Sequence, residues 1–568
     1  MSEHIWLKSY PPHADWHKKF PPAPLFRVTD DSVAAFGDKV ALEFLGKETT
    51  YGELGVMIDR MTAGLQSIGV KKGTHVGIFM PNCPQFVIAY FAILKAGGTV
   101  VNYSPLYSVP ELMRQVEDSE TDIMVTLDLA ALYPQIRKVA EQSRLKKLVV
   151  SHFAWGLPFP KNILFRLFKR SMVSAVVRDD YHVDFADLVN CTTPAVPVEI
   201  DPDNDVAVLQ YTGGTTGVPK GAMLTHSNIL MNVEQMVEWT HNLELGKEVL
   251  PGFLPFFHVF AMTVVMVLSL RVGARIPILP KFELEAAVKL MRRERPTMFA
   301  GVPTMYTAML NYGGGKDIGL DRVKNTMSGG APLPMDLAKS FKEKVGVTVT
   351  EGYGLTEASP VVSSNRYDQD SVIGSIGLPL PGTEIIIVDR EDHSRILPIG
   401  ETGEICVRGP QVMKGYWKRP EATEEVLVNG DMLRTGDVGY MAEDGYTYII
   451  DRDKDLILVG GFNVFPRVVE EAIMEHPAVK EVTVIGIPDD YRGESPKAFV
   501  TLVHPDEDLT EKELLAFLKE RLGKHELPSA VEFREELPKT MIGKLSKKEL
   551  VAEEKAKYEA RKEQQRAG

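Results

Sequence analysis

The stretch YTGGTTGVPKG, Tyr211 to Gly221, holds four glycines, three threonines, one proline and one lysine. A glycine-rich loop loses more entropy on ordering than any other, so its presence needs a reason. Phosphate binding supplies one. Bare backbone N–H groups close round an anion, the hydroxyls of Thr212, Thr215 and Thr216 add donors, and Lys220 brings charge. A flexible surface loop of chance composition is the ordinary alternative. The P-loop pattern G-x-x-x-x-G-K-[ST] does not fit, because Lys220 follows Pro219 and Gly221 stands where the metal-binding hydroxyl belongs. Another way of holding phosphates is therefore expected.

Further clusters carry side chains suited to chemistry. SGGAPLP, Ser328 to Pro334, is a second small-residue loop. EGYGLTE, Glu351 to Glu357, sets an aromatic, a hydroxyl and a carboxylate within a few positions. RTGDVGY places Asp437 between glycines, and DRDKDLILVGGFNVFP runs from a charge cluster at Asp451 into a diglycine turn. PKTMIGKLSKKEL puts Lys544 after Gly543. Each has a bland reading. Tyr353 is ordinary core, Glu357 caps a helix or faces solvent, and Asp437 forms a turn. His258 is a satisfied core histidine and Lys544 a surface lysine. Their joint occurrence in this order carries the information.

Alternating apolar runs and amphipathic stretches must position these loops. VGIFMPN, CPQFVIAYFAILKAGG and TVVNYSP read as strand, helix and strand, as do TDIMVTLD, LAALYPQIRKVAEQS and LKKLVVSH. Parallel sheet layered with helices is expected. From about Thr383 short strands with turn signals form an all-β patch. After Asp451 a small unit reads as helix, strand, strand, helix. The charged tail KKELVAEEKAKYEARKEQQRAG is expected to fray.

A length of 568 residues implies two to four domains, and a net charge of −13 argues against a nucleic-acid partner. Three scattered cysteines show no metal spacing and fit a reducing compartment. The N-terminus lacks the basic start and apolar run of a signal peptide, so a cytoplasmic location is expected. FLPFFHVFAMTVVMVLSL, Phe253 to Leu270, is long enough on paper to span a bilayer but reads better as a buried core helix. FAWGLPFPKNILFRLFKR, Phe153 to Arg170, mixes aromatics with basic residues. It reads as a membrane-surface element or as an insertion packed on the body, the second being favoured.

Taken in order, these segments resemble the core motifs of the acyl-adenylate-forming superfamily, the AMP-dependent synthetases and ligases. The resemblance runs from about Thr50 to Leu550. Within it, LPFFHVF, GSIGLPLPGTE, GPQVMKGYWKRPEAT and ILVGGFNVFP look most like bacterial long-chain fatty acid CoA ligases. The resemblance implies an α/β fold. A large N-terminal domain, residues 1–452, would contain a β-rich part at about 383–450. A small mobile C-terminal domain, 453–568, would carry the catalytic lysine. It implies an ATP-dependent ligase joining a long-chain fatty acid to coenzyme A through acyl-AMP. A medium-chain or aryl acid CoA ligase is the alternative, and a membrane-attached fatty acid trap a further one.

The family's roles map onto matching positions. Thr212, Gly213, Gly214, Thr215, Thr216, Gly217 and Lys220 would hold the ATP β- and γ-phosphates. Gly329, Gly330 and Ala331 would line the adenine pocket, with Gly352, Tyr353 and Gly354 beside the base. Thr356 would contact the α-phosphate and Glu357 would ligate Mg²⁺. Asp437 would bind the ribose hydroxyls with Arg452 assisting, and Lys454 would be the hinge. Lys544 would be the catalytic lysine. His258 would stand between acyl pocket and CoA tunnel, and Gly460 and Gly461 would line the pantetheine path. Lys548 stands where related chains often carry Arg. The methionine-rich runs from Val259 to Leu270 and Phe299 to Leu310 suit an adaptable acyl tunnel, and also a plain core. Fatty acid, ATP and CoA are the implied partners. A peripheral membrane contact and a homodimer stay open.

Overall fold

A computed structural model describes residues 4–212, 219–315, 317–452, 455–459, 462–489, 492–504, 509–540 and 544–567. The expected α/β architecture is present, with a large N-terminal part and a smaller C-terminal one. The largest sheet has seven strands, in the order 182–184, 147–151, 123–127, 75–79, 99–103, 206–212 and 220–225. Its neighbours run parallel except the last pair, Val206–Thr212 with Lys220–Thr225, which is antiparallel. The central strand His75–Phe79 and the helix Pro84–Lys95 are buried almost throughout. Both therefore read as continuous apolar runs rather than as alternation.

Local chemistry marks the joints. Thr225 ends the edge strand and caps the helix His226–Trp239, its side chain accepting from Asn228 N–H while the Asn228 side chain returns to Thr225. That reciprocal cap satisfies two orphan donors and fixes the strand-to-helix turn.

The β-rich patch expected from Thr383 is a five-stranded sheet of Glu384–Val388, Gly403–Arg408, Leu427–Val428, Met432–Met441 and Thr447–Arg452. One apolar core cluster runs from Trp6 to Tyr446, and a separate one from Ile457 to Val531. The C-terminal unit has helix Pro466–Met474, strands Val479–Asp489 and Gly493–Leu502, and helix Glu511–Leu518. That is the helix, strand, strand, helix order read from the sequence.

Two expectations need correction. The charged tail is a helix, Lys547–Ala567. Leu550 is fully buried against Ile485, Phe499 and Leu537, and Lys557 and Arg534 pair with Glu554 and Glu553. Leu550 and the cross-element pair Arg534–Glu553 hold the first turns of this helix, whose other residues are mostly exposed. The segment Phe153–Arg170 is split. Phe153, Ala154 and Gly156 are buried, but the helix Lys161–Phe168 buries no residue. Its first part is packed on the body, and from the helix Phe165 packs against it.

The run Phe253–Leu270 is core, as expected. Its helical part begins only at Val259 and includes a π-helical stretch, Ala261–Val267, buried throughout. Among the described residues no helix is long and apolar enough to cross a membrane.

Candidate active site

The last two strands of the large sheet, Val206–Thr212 and the edge strand Lys220–Thr225, pair with Thr212 opposite Lys220. Gly213, Gly214, Thr215, Thr216 and Gly217 lie outside the described residues. Lys220 extends over the Tyr416 ring, its Nζ 5.0 Å from the ring centre. Tyr416 is held there by backbone pairing of its segment with the edge strand. Met223 N–H donates to Gly415 O, and Trp417 N–H to Gly221 O, both at 2.8 Å. From the far side the Tyr416 hydroxyl donates to Glu357 Oε1 at 2.7 Å. Lys220, Tyr416 and Glu357 thus form one row of cation, ring and carboxylate.

Glu357 sits in the short turn Thr356–Ala358, which follows the strand Gly352–Gly354. That strand cannot carry a side chain at position 354, because a Cβ there would lie 2.2 Å from Pro360 O. A Cβ on Gly352 would meet the Met327 side chain at 3.4 Å, and one on Gly329 would meet Phe260 at 3.2 Å. Gly330 takes φ +82°, the left-handed region open to glycine, and Ala331 after it is half-buried. The loop at Gly329–Ala331 is bound to this strand through Ser328, whose N–H donates to Thr350 O at 2.8 Å.

Tyr353 points the other way. Its hydroxyl donates to Asp437 Oδ2 at 2.5 Å, and Arg452 Nε lies 3.3 Å from Asp437 Oδ1. Asp437 and Arg452 are direct cross-strand neighbours on antiparallel strands. Burial pushes the Tyr353 phenol well up, with the Asp437 charge adding to it, so Tyr353 stays a donor.

Lys544 enters from the C-terminal unit. A two-bond clasp sets its backbone, with Thr540 N–H donating to Lys544 O at 2.6 Å and Lys544 N–H to Thr540 Oγ1 at 3.1 Å. Burial lowers the Lys544 ammonium to about 8, the Arg452 charge pushing the same way and Asp437 opposing. His258 is held down to about 4 by burial first and by Lys544 second, so its imidazole is neutral at pH 7. Lys544 thus lies within electrostatic range of Arg452, Asp437 and His258.

The segment Gly352–Glu357 joins the two groups, with Tyr353 serving one and Glu357 the other. Of the sequence-predicted residues, Thr212, Lys220, Gly329, Gly330, Ala331, Gly352, Tyr353, Gly354, Thr356, Glu357, Asp437, Arg452, His258 and Lys544 can therefore be placed. Lys454, Gly460 and Gly461 lie outside the described residues. Sequence reasoning missed Tyr416, although GPQVMKGYWKRPEAT contains it. It also gave no role to Glu351, whose Oε1 accepts from Leu333 N–H at 3.1 Å beneath the small-residue loop. Burial raises Glu351 to about 7.

Both methionine-rich runs contribute to one narrow apolar cavity. Val264 and Leu268 line it from the first, and Phe299 and Ala300 from the second, together with Met298 and Trp239.

A family model described as AMP-binding enzyme matches residues 29–417, and its C-terminal companion matches 468–544. The chain belongs to the AMP-binding enzyme family. A long-chain-fatty-acid–CoA ligase of Bacillus subtilis is 42% identical to this AMP-binding enzyme, over 98% of this chain and 99% of that protein. A protein of the same description from Escherichia coli O6:H1 is 38% identical over the same shares. ATP-bound MatB from Rhodopseudomonas palustris superposes with a TM-score of 0.82 at 30% identity, covering 94% of this chain and 99% of that one. The anthranilate CoA ligase AuaEII in complex with anthranoyl-AMP gives 0.83 at 26% identity, covering 95% and 99%.

Proposed function

We propose that this AMP-binding enzyme joins a long-chain fatty acid to coenzyme A at the expense of ATP, through an acyl-AMP intermediate, releasing AMP and pyrophosphate. What supports the reading is the cluster of Tyr353, Asp437 and Arg452, with Lys544 of the C-terminal unit within electrostatic range of it. Relatives described as long-chain-fatty-acid–CoA ligases over nearly the whole length support the substrate class.

A carboxylate is a poor electrophile, so thioester formation needs a leaving group. In the first step a carboxylate oxygen of the acid attacks the α-phosphorus of ATP, and pyrophosphate leaves. Two anions must meet, so the site needs cations and fixed donors rather than a base. Lys544 and Thr356 face the α-phosphate in this reading, and Lys220 serves the β- and γ-phosphates with the loop that follows Thr212. Asp437, oriented by Tyr353 and Arg452, accepts from the ribose diol. Mg²⁺ would enter with ATP and offset the charge of the phosphates. Among the described residues no three His, Cys, Asp or Glu side chains are grouped to hold a metal. A single carboxylate, Glu357, with phosphate oxygens fits an ion that keeps most of its ligands from substrate and water.

In the second step the CoA thiolate attacks the acyl carbonyl, the C–O bond to AMP breaks and the thioester forms. Neutral His258, within electrostatic range of Lys544, would stand near the acyl carbonyl. We place the domain boundary at 452/453, with Lys454 as hinge. Rotation there withdraws Lys544 and brings Gly460 and Gly461 to the pantetheine arm. The acyl chain would run along the apolar stretches 259–270 and 299–310, whose shared cavity of about 20 Å³ must widen to receive it.

AMP release with ATP, Mg²⁺ and saturated acids from acetate to stearate, each with and without CoA, tests the reading. CoA-dependent turnover rising toward the long acids is expected. A maximum on short or aromatic acids overturns the substrate class, and acyl-AMP accumulating regardless of CoA overturns the acceptor.

A further inference from the structure

The helix Lys161–Phe168 is inside out. Phe165 alone turns inward, its ring 5.1 Å from Phe153, and Lys161 Nζ donates to Leu45 O at 2.8 Å. Ile163, Leu164, Leu167 and Phe168 fall on one face at helical spacing and point to solvent. Phe159 before the helix and Phe168 at its end are 79% and 77% exposed, and Met172 beyond is exposed as well. Isolated surface leucines need no account, but six large apolar side chains over fourteen residues do.

The charge around them is as lopsided. Residues 142–178 contain no Asp or Glu in a chain of net charge −13. Arg144, Lys146 and Arg178 pair with Asp122 and Asp184, and Lys161, Arg166, Lys169 and Arg170 lie on or next to the helix. Arg166, Lys169 and Arg170 are exposed beside the apolar face. A second copy of the chain is a poor occupant, since a twofold contact would set this basic surface against itself.

We propose that Phe159–Met172 is an interfacial anchor that docks the protein on an anionic lipid bilayer. The apolar face enters the headgroup boundary, and Arg166, Lys169 and Arg170 meet lipid phosphates. Eight residues of helix, roughly 12 Å long, lie on a bilayer and cannot cross it. The inference goes beyond the catalytic reading and does not depend on it. With that reading it sets the enzyme at the surface where a water-insoluble acid and its acyl product partition.

Co-sedimentation of the full chain with vesicles, in the absence of substrates, tests the anchor. Vesicles of phosphatidylcholine alone are compared with vesicles that also contain phosphatidylglycerol. The wild type is expected to pellet with the anionic vesicles, and less so as salt rises. Leu167→Asp with Phe168→Asp, and separately Lys169→Glu with Arg170→Glu, should each weaken partition roughly tenfold or more. Both variants should keep wild-type adenylation of a soluble short acid without vesicles, which shows that they are folded. A wild type that stays in the supernatant, or variants that pellet as it does, overturns the proposal. So does equal binding to phosphatidylcholine alone. If Leu167→Asp with Phe168→Asp instead converts a dimer to a monomer in solution, a second copy covers this face and the lipid assignment fails. Activity confined to short or aromatic acids would change the substrate and leave the binding result standing.

Discussion

The Lys544 ammonium gives the sharpest test of the assembled site. Burial beside Arg452 holds it at about 8, against about 10.4 for a free lysine. The charged form is the one that can meet the α-phosphate, so adenylation should fall as pH rises through about 8. At pH about 9 only about one site in ten keeps its charge, whereas an ordinary lysine would be more than about nine-tenths charged. The assay is ATP–pyrophosphate exchange without CoA, which removes the thiol's own titration, read as kcat/KM so that it reports the free enzyme. An alkaline limb near pH 8 is expected in the wild type. Lys544→Arg should be slower yet show no such limb, because a guanidinium stays charged. Lys544→Ala should lose roughly 10² to 10³ in adenylation while still forming thioester from supplied acyl-AMP. A wild-type profile that stays flat to pH about 9.5 would refute the claim that Arg452 and burial act on Lys544. Equal loss of both half-reactions in Lys544→Ala would refute its confinement to the first.

Three further outcomes follow from the same geometry. Tyr416→Phe removes the 2.7 Å bond to Glu357, a hydrogen bond to a charged group worth about 1.5–3 kcal/mol. The Mg²⁺ concentration needed for half-maximal adenylation should rise roughly tenfold with the fold intact by circular dichroism, and an unchanged Mg²⁺ dependence would count against the row. Gly354→Ala sets a Cβ 2.2 Å from Pro360 O, so the strand must shift. Its Tm should drop by several degrees and Tyr353 should lose its register, while a wild-type Tm with full activity would contradict the contact. Glu351 has its folded pKa raised above the unfolded value, to about 7. The fold therefore favours the protonated form, and stability is lost as pH rises from about 4.5 through 7, by about 3 kcal/mol. Glu351→Gln should flatten that decline in Tm between about pH 5 and pH 8, and parallel curves for the two proteins would remove Glu351 as its source.

Much of this architecture was legible in the chain. Strands 75–79, 99–103, 123–127 and 147–151 are short β-branched runs separated by helices, and two buried faces make each run continuous. Composition misled at the C-terminal tail. Leu550 and Glu553 hold its first turns, and their partners Ile485, Phe499, Leu537 and Arg534 lie on other elements. Phe153–Arg170 was legible as aromatic and basic but not as packed or exposed. Periodicity reports that a helix has an apolar face without saying which way it turns.

The sequence by itself determined which groups are available: the glycine-rich loop with Lys220, the EGYGLTE segment, Asp437 between glycines, and a lysine near the end of the chain. Backbone demands of glycine and the chemistry of a few side chains are local, so they survive in one dimension. Only the tertiary structure decided which of them share a space. Lys544 is 107 positions from Asp437 and 286 from His258, and nothing in the spacing sets the C-terminal unit against the site. The same holds for Tyr416, which gains its place between Lys220 and Glu357 from backbone pairing with an edge strand almost two hundred residues earlier. Charge and proton affinity at such a site follow from neighbours and burial, and those exist only once the chain has folded.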